Sequence, residues 1–505
     1  MATLRSIERG SAPATERPGL DIKRLWRAIV PLAVGGAIAI IPAPAGLAPH
    51  AWLYFAIFAG VIAALITEPL PAPAVGLIAV TLVAVLSPWV LFSPADLAKP
   101  EFKTADEAIR WAVAGFSSAT VWLVFGAFMF ALGYEKTGLG RRIALMLVKG
   151  LGRSTLMLGY ATTAADTLLA PFTPSNTARS GGTIFPVVRN LPPLFDSMPN
   201  EPSARKIGSY ILWTTFAASC ITSSLFMTAC APNFLALEFI KKIAKVEISY
   251  AQWMLASLPW ALPLLLALPV LVWVFYPPQI KRGADVPAWA GGELARMGPL
   301  SRYEIILSVL VFLAIVLWVF GGHYVEGATA ALIVIGLMLI TRVVTWNDMV
   351  QNHAAWTTLT LLATLVTLAG GLSRVGFVKW FADNVGVQVT ALGLSPTVTM
   401  IVLVAIYFFS HYMFASLTAH TTALMPVMLG VGLAVPGLPV DKMAMALAMT
   451  TGIMGIITPY ATGAGLPYYE SGYLPAPEFW RLGTIFGLIC LGMLLLVGVP
   501  LLMAR

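Results

Sequence analysis

Apolar residues come in long runs separated by short polar breaks over nearly the whole chain. The clearest runs are 51–67, 75–92, 120–134, 254–276, 305–320, 328–341, 356–372 and 484–503. Each approaches the roughly 20 residues that a helix needs to cross the hydrocarbon core of a bilayer. A bilayer offers the backbone no water to bond, so such runs must be helical. The pattern predicts an all-α polytopic membrane protein. Composition agrees: 58% of the 505 residues are hydrophobic and 11% charged, against about 25% charged in soluble proteins. No charged stretch is long enough to fold as a separate soluble domain. Residues 25–505 therefore read as one membrane transport domain behind a polar, basic cytoplasmic tail, residues 1–24, which is too long before the first apolar run for a typical signal peptide.

Two stretches of the chain share an order of features, and they define two repeats at about 117–277 and 354–505. In the first, an apolar run ends at Tyr134 and is followed by Glu135, Lys136, Thr137 and Gly138, a basic segment, an apolar arm, and the polar tip Pro174-Ser175-Asn176-Thr177-Ala178-Arg179. In the second, a run ends at Leu372 and is followed by Ser373, Arg374, Val375 and Gly376, an apolar arm, and Ala415-Ser416-Leu417-Thr418-Ala419-His420. The arms flanking each tip are short and interrupted, by Gly181, Gly182 and Pro186 in one case and by Pro426 in the other. They read as two re-entrant hairpins, because irregular polar backbone at membrane depth is tolerated only where protein or a water-filled cavity covers it. Matching interrupted segments in two halves point to a binding site between the repeats. Counting the remaining runs gives about eleven transmembrane helices plus the two hairpins, with the N-terminus cytoplasmic and the C-terminus periplasmic. That arrangement puts about twice as many basic residues inside as outside, as the positive-inside rule expects. The cluster Lys241, Lys242 and Lys245 falls on the outer side and fits least well.

The tips hold the candidate chemistry. Ser175, Asn176 and Thr177 offer hydroxyls and an amide, which bond an anion without carrying charge, and the helix starts at a tip attract carboxylates. The same residues could do no more than cap two half-helices; the matched Ser416, Leu417 and Thr418 weigh against that. Arg179 lies two residues past the first triplet, where a charge at membrane depth is costly and its planar fork suits a carboxylate, unless it snorkels to the interface or pairs with Asp166. His420 takes the corresponding place in the second half. Each hairpin is followed by a segment rich in small, polar and helix-breaking residues. One holds Thr228, Pro232 and Asn233; the other holds Thr458, Pro459 and Thr462.

Enzyme signatures are absent: there is no phosphate-binding loop, no His-Glu-x-x-His and no Gly-x-Ser-x-Gly. A dyad of Ser175 or Ser416 with His420 would make an intramembrane hydrolase, but nothing in the repeat pattern predicts one, and nothing suggests the ring-built filter of a channel. Cys220, Cys230 and Cys490 all lie in apolar segments, so neither a disulfide framework nor a metal site is expected. The net charge of +8 is spread over many short loops, which speaks against nucleic-acid binding. No cofactor is expected, and the partners are membrane lipid and small anions.

The segment Pro171-Phe172-Thr173-Pro174-Ser175-Asn176-Thr177-Ala178-Arg179-Ser180-Gly181-Gly182 closely resembles the first hairpin tip of the divalent anion:sodium symporter family. Ser416-Leu417-Thr418-Ala419-His420 resembles its second tip, and Thr458-Pro459-Tyr460-Ala461-Thr462-Gly463 its broken tenth helix. The resemblance covers about residues 25–505. It implies a homodimer working by an elevator mechanism in a cell inner membrane, with a carboxylate site between the two triplets. The chain looks most like the exchanger branch, the type of the bacterial citrate/succinate and tartrate/succinate antiporters and the plastid 2-oxoglutarate/malate translocator. Sodium-coupled members commonly read Ser-Asn-Thr or Ser-Ser-Thr at the second tip, and here Leu417 replaces the middle polar residue. The expected function is thus sodium-independent exchange of dicarboxylates or tricarboxylates, with a sodium-coupled dicarboxylate symporter as the alternative. In this reading Arg179 and His420 supply fixed positive charge where a symporter would bind sodium.

Overall fold

The computed structural model describes residues 22–282, 286–321 and 324–504, and every regular element among them is helical. Most of the tail expected over residues 1–24, and Arg505 at the C-terminus, lie outside the described residues. Three helices open the chain, Ile22–Ile40, Pro49–Thr67 and Ala72–Val85. Two stretches with the same succession of elements follow, joined by Val286–Met297, Arg302–Phe320 and Gly327–Ile340.

Each stretch begins with a long helix, Ala119–Thr137 or His353–Arg374. Both turn sharply just past that helix at a glycine in the left-handed region, Gly138 at φ 76° and Gly376 at φ 81°, a conformation that costs glycine nothing. A second helix follows, Leu139–Leu151 or Phe377–Ala391. Next comes the first hairpin arm, Thr155–Leu169 or Pro396–Ser410, with a serine capping its start: Ser154 and Ser395 accept the backbone N–H of Met157 and Val398. Each arm tightens into one 3₁₀ turn, Ala170–Phe172 or His411–Met413, just before the tip.

Beyond the tips the return arms differ. The first starts as a wide π-helical stretch, Thr177–Ile184, and continues through Phe185–Val188; the second is the regular helix Leu417–Ala434. The arms fold back on one another near each tip, where Asp166 meets Arg179 in the first hairpin and Ser410 meets His420 in the second. A broken helix comes next in both halves. Gly208–Leu225 breaks at Met227–Ala229 before Ala231–Phe239, and Val440–Ile453 breaks at Met454–Ile456 before Gly465–Glu470.

The two breaks meet at the centre. A Cβ on Gly452 would lie 2.4 Å from the backbone nitrogen of Ser224, so only glycine permits this approach. The backbone N–H of Ile453 donates to Ser224 Oγ at 2.9 Å across the contact. All 18 residues of Gly208–Leu225 are buried, including six serines and threonines between Thr214 and Ser224. A helix wrapped by protein needs no apolar surface. Six helices among the described residues are long and apolar enough to cross a membrane by length and composition; Trp26–Ile40, Ala72–Val85 and Gly327–Ile340 are apolar but shorter. Two of the six, Pro396–Met413 and Leu417–Ala434, are the arms of the second hairpin.

Candidate functional site

The two tips and the two broken helices enclose one cavity of about 340 Å³. The first tip contributes Pro174, Ser175, Asn176 and Thr177, and the second Ala415, Ser416, Leu417 and Thr418. The breaks contribute Cys230, Ala231 and Pro232 on one side and Thr462 and Gly463 on the other. Local bonds hold the tips in shape. Ser175 Oγ accepts the Ala178 N–H at 3.2 Å, and Ser416 Oγ accepts the Ala419 N–H at 3.4 Å. Asn176 Nδ2 donates to Thr462 Oγ1 at 3.0 Å, tying the first tip to the second broken helix.

Three helices therefore begin at the wall of this cavity: Thr177–Ile184, Ala231–Phe239 and Leu417–Ala434. The first turn of a helix carries N–H groups without intrahelical partners and the positive end of its dipole. Three such ends on one small space make a site for an anion without any charged side chain.

Arg179 lies behind the first tip and does not line the cavity. It is fully buried, and its guanidinium is saturated by seven oxygens: Asp166 Oδ1, the carbonyls of Thr173, Ser219 and Ala229, and the hydroxyls of Ser219, Thr222 and Ser223, at 2.8–3.4 Å. Thr222 also donates to the second oxygen of Asp166. Of the alternatives open for Arg179 in the sequence, the structure shows the pairing with Asp166 and not a charge turned to the cavity. All its donors are spent inside the protein, and its charge is offset by Asp166.

His420 is likewise fully buried behind the second tip, packed among the rings of Tyr407, His411 and Phe414 at 4.5–4.9 Å. Ser410 Oγ lies 2.9 Å from the Tyr407 carbonyl and 3.1 Å from His420 Nε2. Thr228 Oγ1 donates to the Pro171 carbonyl at 2.6 Å, and Asn233 Nδ2 to the Ser223 carbonyl at 2.7 Å; both brace the first break. Thr458 and Pro459 are buried beneath the second break and do not line the cavity. Of the residues singled out from the sequence, the cavity gathers Ser175, Asn176, Thr177, Pro232, Ser416, Leu417, Thr418 and Thr462.

The opposite wall was not legible as part of a site. It consists of Phe128, Thr358, Leu361 and Leu362 from the two long helices. Thr358, Leu361 and Leu362 follow the i, i+3, i+4 spacing of one helix face. That spacing alone, in an apolar run, gives no reason to prefer this face over another.

A larger cavity of about 680 Å³ adjoins the site, sharing Phe128, Ser175 and Thr177 with it. It runs to Lys136 and Asp348, which are ion-paired, and to His353. The Lys136 ammonium holds the Asp348 carboxyl down at about 2. A separate cavity of about 640 Å³, lined by Thr120, Glu238, Lys241 and Glu247, lies at the other end of helix Ala119–Thr137 and shares no residue with the site. The site lies at the middle of this helix, at Phe128, and adjoins the cavity at the Lys136 end.

Residues 22–503 match the family described as the sodium:sulfate symporter transmembrane region. A citrate/succinate antiporter of Escherichia coli K12 is 51% identical over 478 residues, covering 95% of this chain and 98% of that protein. An L-tartrate/succinate antiporter of Shigella sonnei is 48% identical, covering 94% and 97%. Among solved structures, the YdaH transporter of Alcanivorax borkumensis aligns with a TM-score of 0.55 at 16% identity, over 85% of this chain and 98% of that one. MtrF of Neisseria gonorrhoeae aligns with a TM-score of 0.54 at 14% identity, over 85% and 94%. These two are likenesses of fold alone.

Proposed function

The chain belongs to the family of the sodium:sulfate symporter transmembrane region, and from that premise we propose that it is an antiporter exchanging small dicarboxylate and tricarboxylate anions across a bacterial inner membrane. It is a transporter and not an enzyme. The observation that carries the reading is the convergence of three helix starts and the hydroxyls and amide of two tips on one cavity. The names of the two antiporter relatives support the substrate class.

The substrate's carboxylates bond the N–H groups and side chains of Ser175, Asn176, Thr177, Ser416 and Thr418, with Pro232 and Thr462 closing the sides. Leu417 gives the second tip an apolar middle. Arg179, His420, Thr228, Asn233, Thr458 and Pro459 hold the tips and breaks in place from behind.

Exchange follows from the same groups. An empty site leaves the polar groups of the two tips, and the first-turn N–H groups that Ser175 and Ser416 do not cap, without an anion on a path through a low-dielectric medium, where an unpaired polar group is costly. An anion satisfies them, so the loaded site crosses more readily than the empty one. Sodium independence has its own support. The oxygens gathered beneath the first tip are the kind that hold a hard cation, and the tethered guanidinium of Arg179 occupies them.

The moving part comprises the two hairpins and the broken helices, and it slides as an elevator against the fixed helices Ala119–Thr137 and His353–Arg374. The rest of the reading is a fold of about eleven spans and two hairpins in two inverted repeats, a homodimer, an N-terminus inside and a C-terminus outside. The cavity adjoining the site is then on the cytoplasmic side, since Lys136 lies on the inner side. Competition by a panel of anions against labelled succinate in succinate-loaded proteoliposomes tests the substrate class. Dicarboxylates and tricarboxylates should compete and monocarboxylates should not; equal competition by acetate and succinate contradicts the two-tip site.

A further inference from the structure

The wall facing the tips is apolar except at one point. Phe128, Leu361 and Leu362 present hydrocarbon to the cavity, and Thr358 presents a hydroxyl. Two of the other four threonines of the same helix return their hydroxyls to the backbone, Thr360 to the Trp356 carbonyl and Thr364 to the Thr360 carbonyl, both at 2.9 Å, and Thr367 accepts the Gly115 N–H. Thr358 makes no such bond among the described residues, and it is half-buried at the cavity edge. A threonine in a helix ordinarily bonds back to the preceding turn unless its side chain is directed elsewhere. Here one hydroxyl on an otherwise hydrocarbon wall is left for whatever fills the cavity.

The tips take the carboxylates, because two of the three helix starts, the Asn176 amide and the hydroxyls of Ser175, Thr177, Ser416 and Thr418 are on that side. A substrate held by its carboxylates at the tips turns the remainder of its carbon chain toward Phe128, Thr358, Leu361 and Leu362. For an unsubstituted dicarboxylate that remainder is methylene, which suits the three apolar residues. For a hydroxy acid it includes a hydroxyl, and Thr358 is the one group on the wall that can bond it, as donor or as acceptor.

We propose that Thr358 is a specificity-determining residue that reads the hydroxyl of hydroxy-carboxylate substrates from the wall opposite the tips. The proposal rests on the carboxylate-antiporter reading above. It assigns discrimination between hydroxylated and plain carboxylates to a residue outside both tips. A site that bonds a substrate hydroxyl favours the molecule that has it over the one that lacks it, whereas hydrocarbon contact hardly separates the two.

The test is equilibrium binding to the purified full-length protein, which does not depend on turnover. Two pairs of anions differ only by a hydroxyl: citrate against propane-1,2,3-tricarboxylate, and malate against succinate. Thr358→Val keeps the shape and removes the hydroxyl, and Thr358→Ser keeps the hydroxyl. In Thr358→Val the affinity ratio within each pair should shift toward the plain acid by about three- to tenfold, the range of one uncharged hydrogen bond. Thr358→Ser should keep the wild-type ratio. Unchanged ratios in Thr358→Val, or equal weakening of both members of each pair, overturn the proposal. If the valine variant does not fold, Thr358→Ala answers the same question. Failure of the wild-type protein to bind any of the four anions would instead contradict the carboxylate reading itself.

Discussion

The guanidinium of Arg179 and the carboxylate of Asp166 form an ion pair at 3.1 Å with neither side chain exposed. The pair joins the two arms of the first hairpin, and the hydroxyl of Thr222 extends it into the first broken helix. Its role is to fasten the tip to the break. The pair therefore leaves no uncompensated charge at Arg179.

Removing one partner of this pair strands the other in a buried site. Arg179→Ala and Asp166→Asn should each cost about 3–5 kcal/mol of stability, read as a lowered unfolding temperature in detergent, with transport lost as a consequence. The double variant Arg179→Gln/Asp166→Asn should be less damaging than the two single effects combined. Normal stability of Arg179→Ala together with lost transport would return Arg179 to the substrate.

Asn176→Ala and Thr418→Ala should abolish or severely reduce transport while leaving unfolding temperature and oligomeric state near normal. Asn176 loses one bond to Thr462 and Thr418 is half-buried, so neither is needed to hold the core. Near-normal uptake by both variants at normal expression would remove the tips from the site.

Much of this arrangement was legible in the sequence because polar residues at membrane depth stand out against an apolar background. Ser175-Asn176-Thr177 and Ser416-Leu417-Thr418 declare themselves, and so do Gly138 and Gly376 as matched turns. What could not be read was direction. Arg179 and Thr177 are two residues apart, and one faces Asp166 and the other the cavity, since residues two apart on a helix point to opposite sides; which of the two sides is the cavity depends on how the hairpin packs. Thr358, Leu361 and Leu362 were invisible for a different reason. They contribute to the site only through long-range packing of a helix whose composition matches its neighbours.

Gly463 packs against the first tip so closely that a Cβ there would lie 2.7 Å from Thr177 Oγ1. Gly463→Ala should weaken substrate binding by displacing that hydroxyl, with little effect on unfolding temperature. The comparison to make is succinate affinity beside a melting curve. Unchanged affinity would mean that Thr177 does not need its position.

From the basic-residue bias and an odd number of spans, the C-terminus is expected outside. A cysteine added after Arg505 should react with an impermeant maleimide in intact cells. Labelling only after lysis would show that the chain crosses the membrane an even number of times.

The most direct test of the central claim, exchange without sodium, is uptake of labelled succinate into proteoliposomes with and without a trapped counter-anion. Uptake should require internal succinate or citrate, and replacing external sodium with choline or potassium should leave the rate nearly unchanged. Uptake into empty vesicles that is driven by an inward sodium gradient and stops when sodium is removed would contradict the account.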